Sequence, residues 1–455
     1  MLASVQAQTY QQWELVIVNA CDLENDAKQI SDAIQGDGRI RQVRLEKNLH
    51  ISANTNAGIA VARGDFIAFL DYDDILEPSA LNEVAAMLAP NPGIDAFYSD
   101  EDKLSDGGDL RYYPFFKPAF NEEQFLTSNF VTHFSVMRTT LVRELGGLRV
   151  GYEGSQDYDL WLRVYEKTSK IAHIPLMSYH WRIAEGSTAG TVSSKNYASG
   201  AGKRSLIEHL KRRGIEAEVG DFPGQASTYQ VKYRVPEKAH IIVVANPNHK
   251  TPVITKALSR YSFDWIKPSD NWLDQTRLSP DSLVLFLGTN IIKADQNWLD
   301  YLIGKALQPG VGLVSAQVRN ANNLSRAGYI IQSGNLEPVY GDYRNEIFGY
   351  SGLTGVPQPF SAVSLECSAV KAENFLRMSN EAHLDRNNLS TALFLTAHGY
   401  RNVYWPTAIV YSEVTPRADY FDVVPVPANY STLTKTSDPY LNSNLMVRNG
   451  SICLS

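Results

Sequence analysis

A chain of 455 residues is longer than one hydrophobic core ordinarily supports, so two domains are expected. Its 44% hydrophobic and 20% charged residues are ordinary for a globular protein, and its net charge of -7 argues against a general nucleic-acid binder, which needs a basic surface. Three cysteines, Cys21, Cys367 and Cys453, lack paired spacing, which excludes a cysteine-rich zinc site and suits a reducing compartment. No basic-then-apolar leader opens the sequence, and its apolar runs fall far short of the roughly 20 residues that cross a bilayer. A cytoplasmic protein is expected, with at most peripheral membrane contact.

Residues 13–18 and 40–45 read as strands, and 26–34 and 51–62 as helices. Residues 66–70 form a third apolar strand that stops at an acidic cluster. Residues 78–87 open with Pro and continue in good helix formers, and 95–99 is another strand. This alternation predicts a mostly parallel, Rossmann-like sheet with helices on both faces, whose ligands bind beyond the carboxyl ends of the strands. Residues 195–213 read as a long helix ending at Gly214. The weakly patterned stretch 216–235 reads as a linker between a first domain, 1–215, and a second, 236–455. The second half repeats the pattern with strands at 240–245, 282–287 and 311–315 and a helix at 298–306. The tail after Glu413 has little periodicity and reads as surface-wrapping chain.

Three segments carry chemistry. Leu70-Asp71-Tyr72-Asp73-Asp74 ends an apolar strand. Carboxylates this close repel unless a cation or donor groups neutralise them, and magnesium or manganese bridges diphosphates through such oxygens; a solvated acidic turn is the plain alternative. In Gly154-Ser155-Gln156-Asp157, Ser155 suits an N-cap and Asp157 falls in the first helical turn, where the helix dipole favours an ionised carboxylate able to accept a proton. First-turn aspartates are also a common structural choice. The segment 173–182, ending Tyr179-His180-Trp181-Arg182, brings a metal-capable His and a diphosphate-capable Arg onto one strand, although a His beside aromatics is more often a packed core residue.

Together these segments resemble the family-2 glycosyltransferases of the GT-A fold, and more narrowly the bacterial polysaccharide and O-antigen enzymes that carry two such domains in tandem. The resemblance spans nearly all of residues 1–215. It includes Ser4-Val5-Gln6-Ala7-Gln8-Thr9-Tyr10, the stretch 54–64, Tyr98-Ser99-Asp100-Glu101-Asp102-Lys103, Phe115-Phe116-Lys117-Pro118, Gly146-Gly147 and Gly186-Ser187-Thr188-Ala189. It implies that a nucleotide-diphosphate sugar is the donor and that Mn2+ or Mg2+ is held by Asp71 and Asp73, with His180 as third ligand. By the same resemblance Asp157 is the general base, and Asn19, Asp74, Arg182, Ser187 and Thr188 lie around the donor. Asp100, Glu101 and Trp181 are candidate sugar contacts. The implied acceptor is a cell-envelope glycan, lipid-linked in some members, with inversion at the anomeric carbon.

Two departures weaken donor binding. The apolar strand and loop that precede the Ser-Val-x-x-Gln-Thr-Tyr helix in the family are not found ahead of Met1, and Val18-Asn19-Ala20-Cys21-Asp22 replaces a usual pair of aspartates. The second half resembles an eroded copy. Leu287-Gly288-Thr289-Asn290 stands for the acidic turn, Ser325-Arg326-Ala327-Gly328 for a His-Ala-Gly stretch, Asn388-Leu389-Ser390 for the base helix and Tyr411-Ser412-Glu413 for the Tyr-His pair. No metal or nucleotide is expected there. A non-catalytic, glycan-binding scaffold is the alternative reading of the whole chain. The basic group Lys203, Arg204, Lys211, Arg212 and Arg213 suits anionic lipid headgroups, while a solvated helix face is the commoner use of such a run.

Overall fold

The computed structural model describes residues 1–20, 24–183, 192–222, 225–245, 252–267, 279, 282–320, 327–339, 354–381, 388–413, 424–435, 438, 440–448 and 451–454. The chain is α/β and divides into two compact units. Unit 1 comprises Met1–Phe120, Ser128–Ile215 and Val219–Tyr229; unit 2 comprises Asn121–Thr127, Glu216–Glu218 and Gln230–Ser455.

The first part of the chain runs α1 (Leu2–Gln6), β1 (Leu15–Asn19), α2 (Glu24–Ala33), β2 (Ile40–Arg44), α3 (His50–Val61), β3 (Phe66–Ala68), β4 (Ile75–Leu76), α4 (Ala80–Leu88), β5 (Ala96–Leu104), β6 (Arg111–Phe115), α5 (Glu122–Phe125), β7 (Ser135–Arg138), α6 (Thr139–Glu144), α7 (Gln156–Lys167), β8 (Ile171–Arg182) and α8 (Val192–Arg212). The main sheet has the order β3-β7-β5-β8-β4, with β6 on the outer part of β5. In it β5 and β8 pair in parallel and the other pairs are antiparallel. Strands β1 and β2 form a separate parallel pair. Strands β4, β6 and β7 were not expected, because two to five residues are too few to display an alternation of their own.

The sequence motifs have local mechanical reasons. Gln8 is buried beyond the end of α1; its Nε2 donates to the Glu77 carbonyl (2.8 Å) and its Oε1 accepts from the Leu81 backbone N–H (3.0 Å). Ser4 Oγ accepts from the Leu76 N–H (3.2 Å). These side chains set α4 beside β4 by satisfying main-chain groups that no ladder or helix reaches. Asn56 on α3 clasps the backbone of Leu148, donating to its carbonyl (2.7 Å) and accepting from its N–H (2.8 Å). Gly147, at φ 69°, passes so close to the Asn56 amide that a Cβ would collide with it. The core of this unit packs Val5, Leu76, Ala80 and Val84 against Phe97, Val136, Ile174 and Tyr179 of the sheet.

Residues 216–235 hold two paired strands, β9 (Ala217–Asp221) and β10 (Tyr229–Tyr233), where a linker was expected. The physical signal is in β10: Tyr229, Val231 and Tyr233 alternate inward with Gln230 and Lys232 between them. The chain continues through β11 (His240–Val244), α9 (Pro252–Leu258), β12 (Ser262–Ile266), β13 (Leu283–Leu287), β14 (Ile291–Ala294), α10 (Trp298–Ala306), β15 (Val311–Arg319), β16 (Gly328–Gln332), β17 (Asn335–Val339), β18 (Gln358–Phe360), β19 (Cys367–Lys371), α11 (Ala372–Glu381), α12 (Asn388–Ala397) and β20 (Arg401–Ser412). Its large sheet has the order β12-β11-β13-β19-β15-β20-β14, with β18 on β20. The run β13-β19-β15-β20-β14 repeats β3-β7-β5-β8-β4 strand for strand, with the same directions at every pair. The tail after Glu413 is built into this unit: β21 (Val424–Pro425) pairs with β17, β22 (Leu445–Arg448) and β23 (Ser451–Leu454) form a hairpin, and Tyr430 and Val447 are buried in its core.

Candidate active site

Beyond β3 the chain turns through residues 71–74, and two of the expected ligand contacts hold that turn together instead. Asp74 is buried; its Oδ1 accepts from the Arg182 backbone N–H (2.7 Å) and its Oδ2 from the Tyr179 hydroxyl. The same hydroxyl receives the Asp71 N–H (3.3 Å). Arg182 Nε donates to the Asp73 carbonyl (2.7 Å), and Nη1 to the carbonyls of Asp106 (2.7 Å) and Ser105 (3.2 Å). Asp74 and Arg182 thus fasten the acidic turn to β8 and to the loop after β5. The carboxylates of Asp71 and Asp73 are the ones the turn presents.

The carboxylates of the turn are crowded and partly desolvated. Asp71 keeps contact with solvent, yet desolvation on its protein-facing side, opposed by His133 and reinforced by Asp74, Asp73 and Asp157, pushes its carboxyl up to about 6. Burial likewise raises Asp74. In both groups burial is the largest cause, and the neighbouring carboxylates add to it.

Asp157 lies in the first turn of α7, and Asn129 Nδ2 donates to its Oδ2 (3.0 Å). Burial raises its pKa, while the Tyr158 N–H pulls the other way. A carboxylate oriented by an amide and made more basic by desolvation suits proton abstraction. Ser155 occupies the N-cap position but makes no capping bond; its Oγ donates to the Ala198 carbonyl (2.8 Å). The helix start is held instead by Asp159, which is buried and ion-paired to Arg149 and to Arg163 (2.8 Å).

His180, Asp100 and Glu101, expected to meet ligands, meet protein partners instead. His180 is buried with Nδ1 against Asp102 (2.7 Å) and Nε2 against Glu77 (3.1 Å). Both ring nitrogens are engaged, so it is not set to ligate a metal. Neighbours on a strand point to opposite faces; Tyr179 is the residue that meets the acidic turn, and His180 faces away from it. Asp100 is fully buried and accepts from the Lys117 backbone N–H (2.8 Å) and pairs with His173 Nε2 (2.7 Å), so it braces β5 and does not face a sugar. Glu101 pairs with Lys117 Nζ (2.9 Å) and His133 Nδ1 (3.1 Å). Although burial raises it, those two cations bring it down to about 2. Trp181 stays half-buried beside His133, ring centroids 4.6 Å apart.

Sequence reasoning missed His133 and Asn129. Both lie in the loop before β7, where no period or motif marks them; only folding brings them to Glu101, Tyr179 and Asp157. Asn19 is buried at the end of β1. Ser187 and Thr188 lie outside the described residues. The basic group on α8 is largely engaged within its own unit: Lys203 pairs with Asp221 (2.8 Å), Arg212 with Glu166 (2.7 Å), and Arg204 donates to the Gly151 carbonyl (2.7 Å). Among the described residues no helix is long and apolar enough to cross a membrane.

Among the described residues no group of three or more His, Cys, Asp or Glu is arranged to hold a metal ion. Two carboxylates do fit a magnesium- or manganese-type ion whose remaining positions are filled by diphosphate oxygens and water. Asp71 and Asp73 are the two carboxylates of the turn not taken up by a protein partner in the bonds described above.

The chain is similar to several known proteins. A protein of Sinorhizobium fredii, y4gI, is 30% identical over the whole chain, which covers 56% of it. The O-antigen biosynthesis protein RfbC of Myxococcus xanthus is 28% identical over 98% of the chain, which covers 39% of it. The chain thus spans about half or less of the length of these curated relatives. Among solved structures, TarS of S. aureus in complex with UDP-GlcNAc overlaps 47% of the chain and 67% of its own at 18% identity and a TM-score of 0.37, too weak a likeness to fix an alignment. The family described as Glycosyl transferase family 2 matches residues 1–146, so that the stretch holding the acidic turn, Glu101, Asn129 and His133 is similar to a family-2 glycosyltransferase domain.

Proposed function

We propose that unit 1 transfers a sugar, with inversion, from a nucleotide-diphosphate sugar to a hydroxyl of a cell-envelope glycan. The observation that carries the reading is the pairing of a half-buried, amide-oriented Asp157 with the carboxylates of Asp71 and Asp73, which share one electrostatic neighbourhood. Asp71 and Asp73 would hold a divalent cation, which when bound neutralises charge developing on the leaving diphosphate. Asp157 takes the proton from the acceptor hydroxyl as its oxygen attacks the anomeric carbon. The bond from that carbon to the diphosphate oxygen breaks, and the nucleoside diphosphate departs from the opposite face. Asn129 keeps Asp157 aimed, and His133, pinned by Glu101, acts on both the base and the acidic turn as a compensating charge. Relatives named for O-antigen, amylovoran, chondroitin and hyaluronan synthesis support a polysaccharide acceptor.

Calorimetric titration of the full chain with UDP- and GDP-sugars plus Mn2+ tests the reading. Asp73→Asn should abolish cation-dependent binding, and donor binding that ignores both the substitution and chelation would sink it.

A further inference from the structure

We infer that the surface running outward from this site along β8, β5 and β6 is an acceptor subsite for an acidic glycan, with Trp181 and Tyr113 as stacking platforms and Lys103 as the group that selects an anionic sugar. The inference rests on the transfer reading above and names the class of acceptor.

The strand register assembles the surface. Lys103 pairs across β5–β8 with Trp181 and across β5–β6 with Tyr112. Its ammonium lies 5.7 Å from the Trp181 ring and 5.4 Å from the Tyr113 ring, so one cation stands between two aromatic platforms. Trp181 touches His133, and His133 stacks on Tyr179, whose hydroxyl holds the acidic turn. The shelf is therefore continuous with the proposed reaction centre.

Tyr113 carries the strongest signal. It is 74% exposed, flanked edge-on by Tyr112, and sits at φ 49°, a backbone conformation that bulky residues rarely adopt. Neither core packing nor a hydrogen bond among the described residues accounts for a large ring held outward in that conformation. A pyranose presents a face of C–H groups that lies flat on such a ring while its hydroxyls remain in water.

Charge is sorted between the two faces of this corner. Asp102 and Glu77 are matched to Arg111 and His180 on the side opposite Lys103. On the Lys103 side, Glu101 is matched to Lys117 and His133. Lys103 forms no ion pair among the described residues, which makes it the cation left for a uronate or phosphate on the ligand.

The test uses the full chain without donor, titrated by NMR at low and high salt. The probes are a hexasaccharide of alternating glucuronate and N-acetylglucosamine, and neutral chitohexaose. The acidic probe should bind roughly threefold to tenfold tighter than the neutral one at low salt, and lose that margin at high salt and in Lys103→Gln. Tyr113→Ala should weaken both probes by roughly threefold to tenfold. Tyr113→Gly, which accepts the backbone conformation, should weaken them equally, showing that the ring matters and not the fold. No binding of either probe, binding indifferent to Tyr113, or an acidic preference that survives Lys103→Gln overturns the inference. Cation-dependent nucleotide-sugar binding in the same samples separates the cases: its presence with a failed shelf overturns this inference alone, whereas its absence in the unaltered chain overturns the transfer reading.

Discussion

The two units share a sheet and differ at its chemical end. In unit 1, β4 sets Ile75 against His180 and Leu76 against Tyr179; in unit 2, β14 sets Ile291 against Ser412 and Lys293 against Tyr411. The tyrosines correspond, and both still reach an aspartate, Tyr179 to Asp74 and Tyr411 to Asp295 (3.0 Å). What differs is the turn after the first shared strand: Asp71, Asp73 and Asp74 in one unit, Gly288, Thr289 and Asn290 in the other. The helix that begins with Gln156-Asp157 in one begins with Asn388-Leu389-Ser390 in the other. Backbone pairing and apolar burial are indifferent to such exchanges, so the same sheet forms with or without the groups proposed to hold a cation or accept a proton.

Each unit also buries one lysine completely against a glutamate, with different results. Lys305 sits 3.0 Å from Glu123, with the rings of Tyr233 and Trp405 about it, and Arg401 pairs with the same carboxylate (3.0 Å). Burial alone would lower Lys305, but Glu123 raises it. Lys117 shares Glu101 with His133, and burial, only partly offset by Glu101, lowers it. The unit 2 pair is a structural lock, whereas the unit 1 pair is divided with His133, whose charge also acts on Asp157.

The comparison can be broken most forcefully at Asp157. Asp157→Asn should lower turnover by about two to four orders of magnitude while nucleotide-sugar affinity stays nearly unchanged; near-normal turnover in a transfer assay would make Asp157 only a helix-start residue, as Asn388 is in unit 2. Next in size is the lock. Lys305→Leu removes the buried one of the two cations on Glu123 and should destabilise unit 2 by about 3 kcal/mol, read by chemical denaturation, with little change in nucleotide binding. Retained stability would mean that Arg401 alone suffices.

Acid should act on both units through the same chemistry. Glu101 and Glu123 are each brought to about 2 from an ordinary 4.5, burial pushing up and the neighbouring cations pulling down further. A depressed carboxylate adds stability that is complete above 4.5 and is lost as pH falls toward 2. Thermal midpoints should therefore drop across that window, and Glu101→Gln should flatten the response of unit 1 alone. The absence of a second donor site is a further expectation: the double variant Asp71→Asn with Asp73→Asn should show no residual manganese-dependent thermal shift with any nucleotide sugar. A remaining shift that chelation removes would place a working site in unit 2. The smallest effect is expected at Lys203→Gln, where loss of the exposed pair with Asp221 should change stability by less than about 1 kcal/mol.

The long elements were readable because burial imposes a period. The helices and strands of residues 13–88, β4 excepted, and the helix Trp298–Ala306 lie within two residues of their expected ends. The strand end at Asp71 to Asp74 and the helix start at Asp157 were legible for the same reason, since residue type and local pattern together define them. The order of letters also separated the two halves chemically, because a missing carboxylate needs no coordinates to be noticed. Which carboxylate does what was a different matter. Asp74, Asp100 and His180 look like ligands in a linear motif, yet each is consumed by a partner distant in the chain: Tyr179, Lys117 and His173, and Asp102 and Glu77. His133 and Asn129 look like nothing, yet they reach Glu101 and Asp157. Residue type states what a side chain is able to do. Whether its polar atoms meet the protein or a ligand is decided by strand register and the face on which it lands, and those exist only once the sheet has formed.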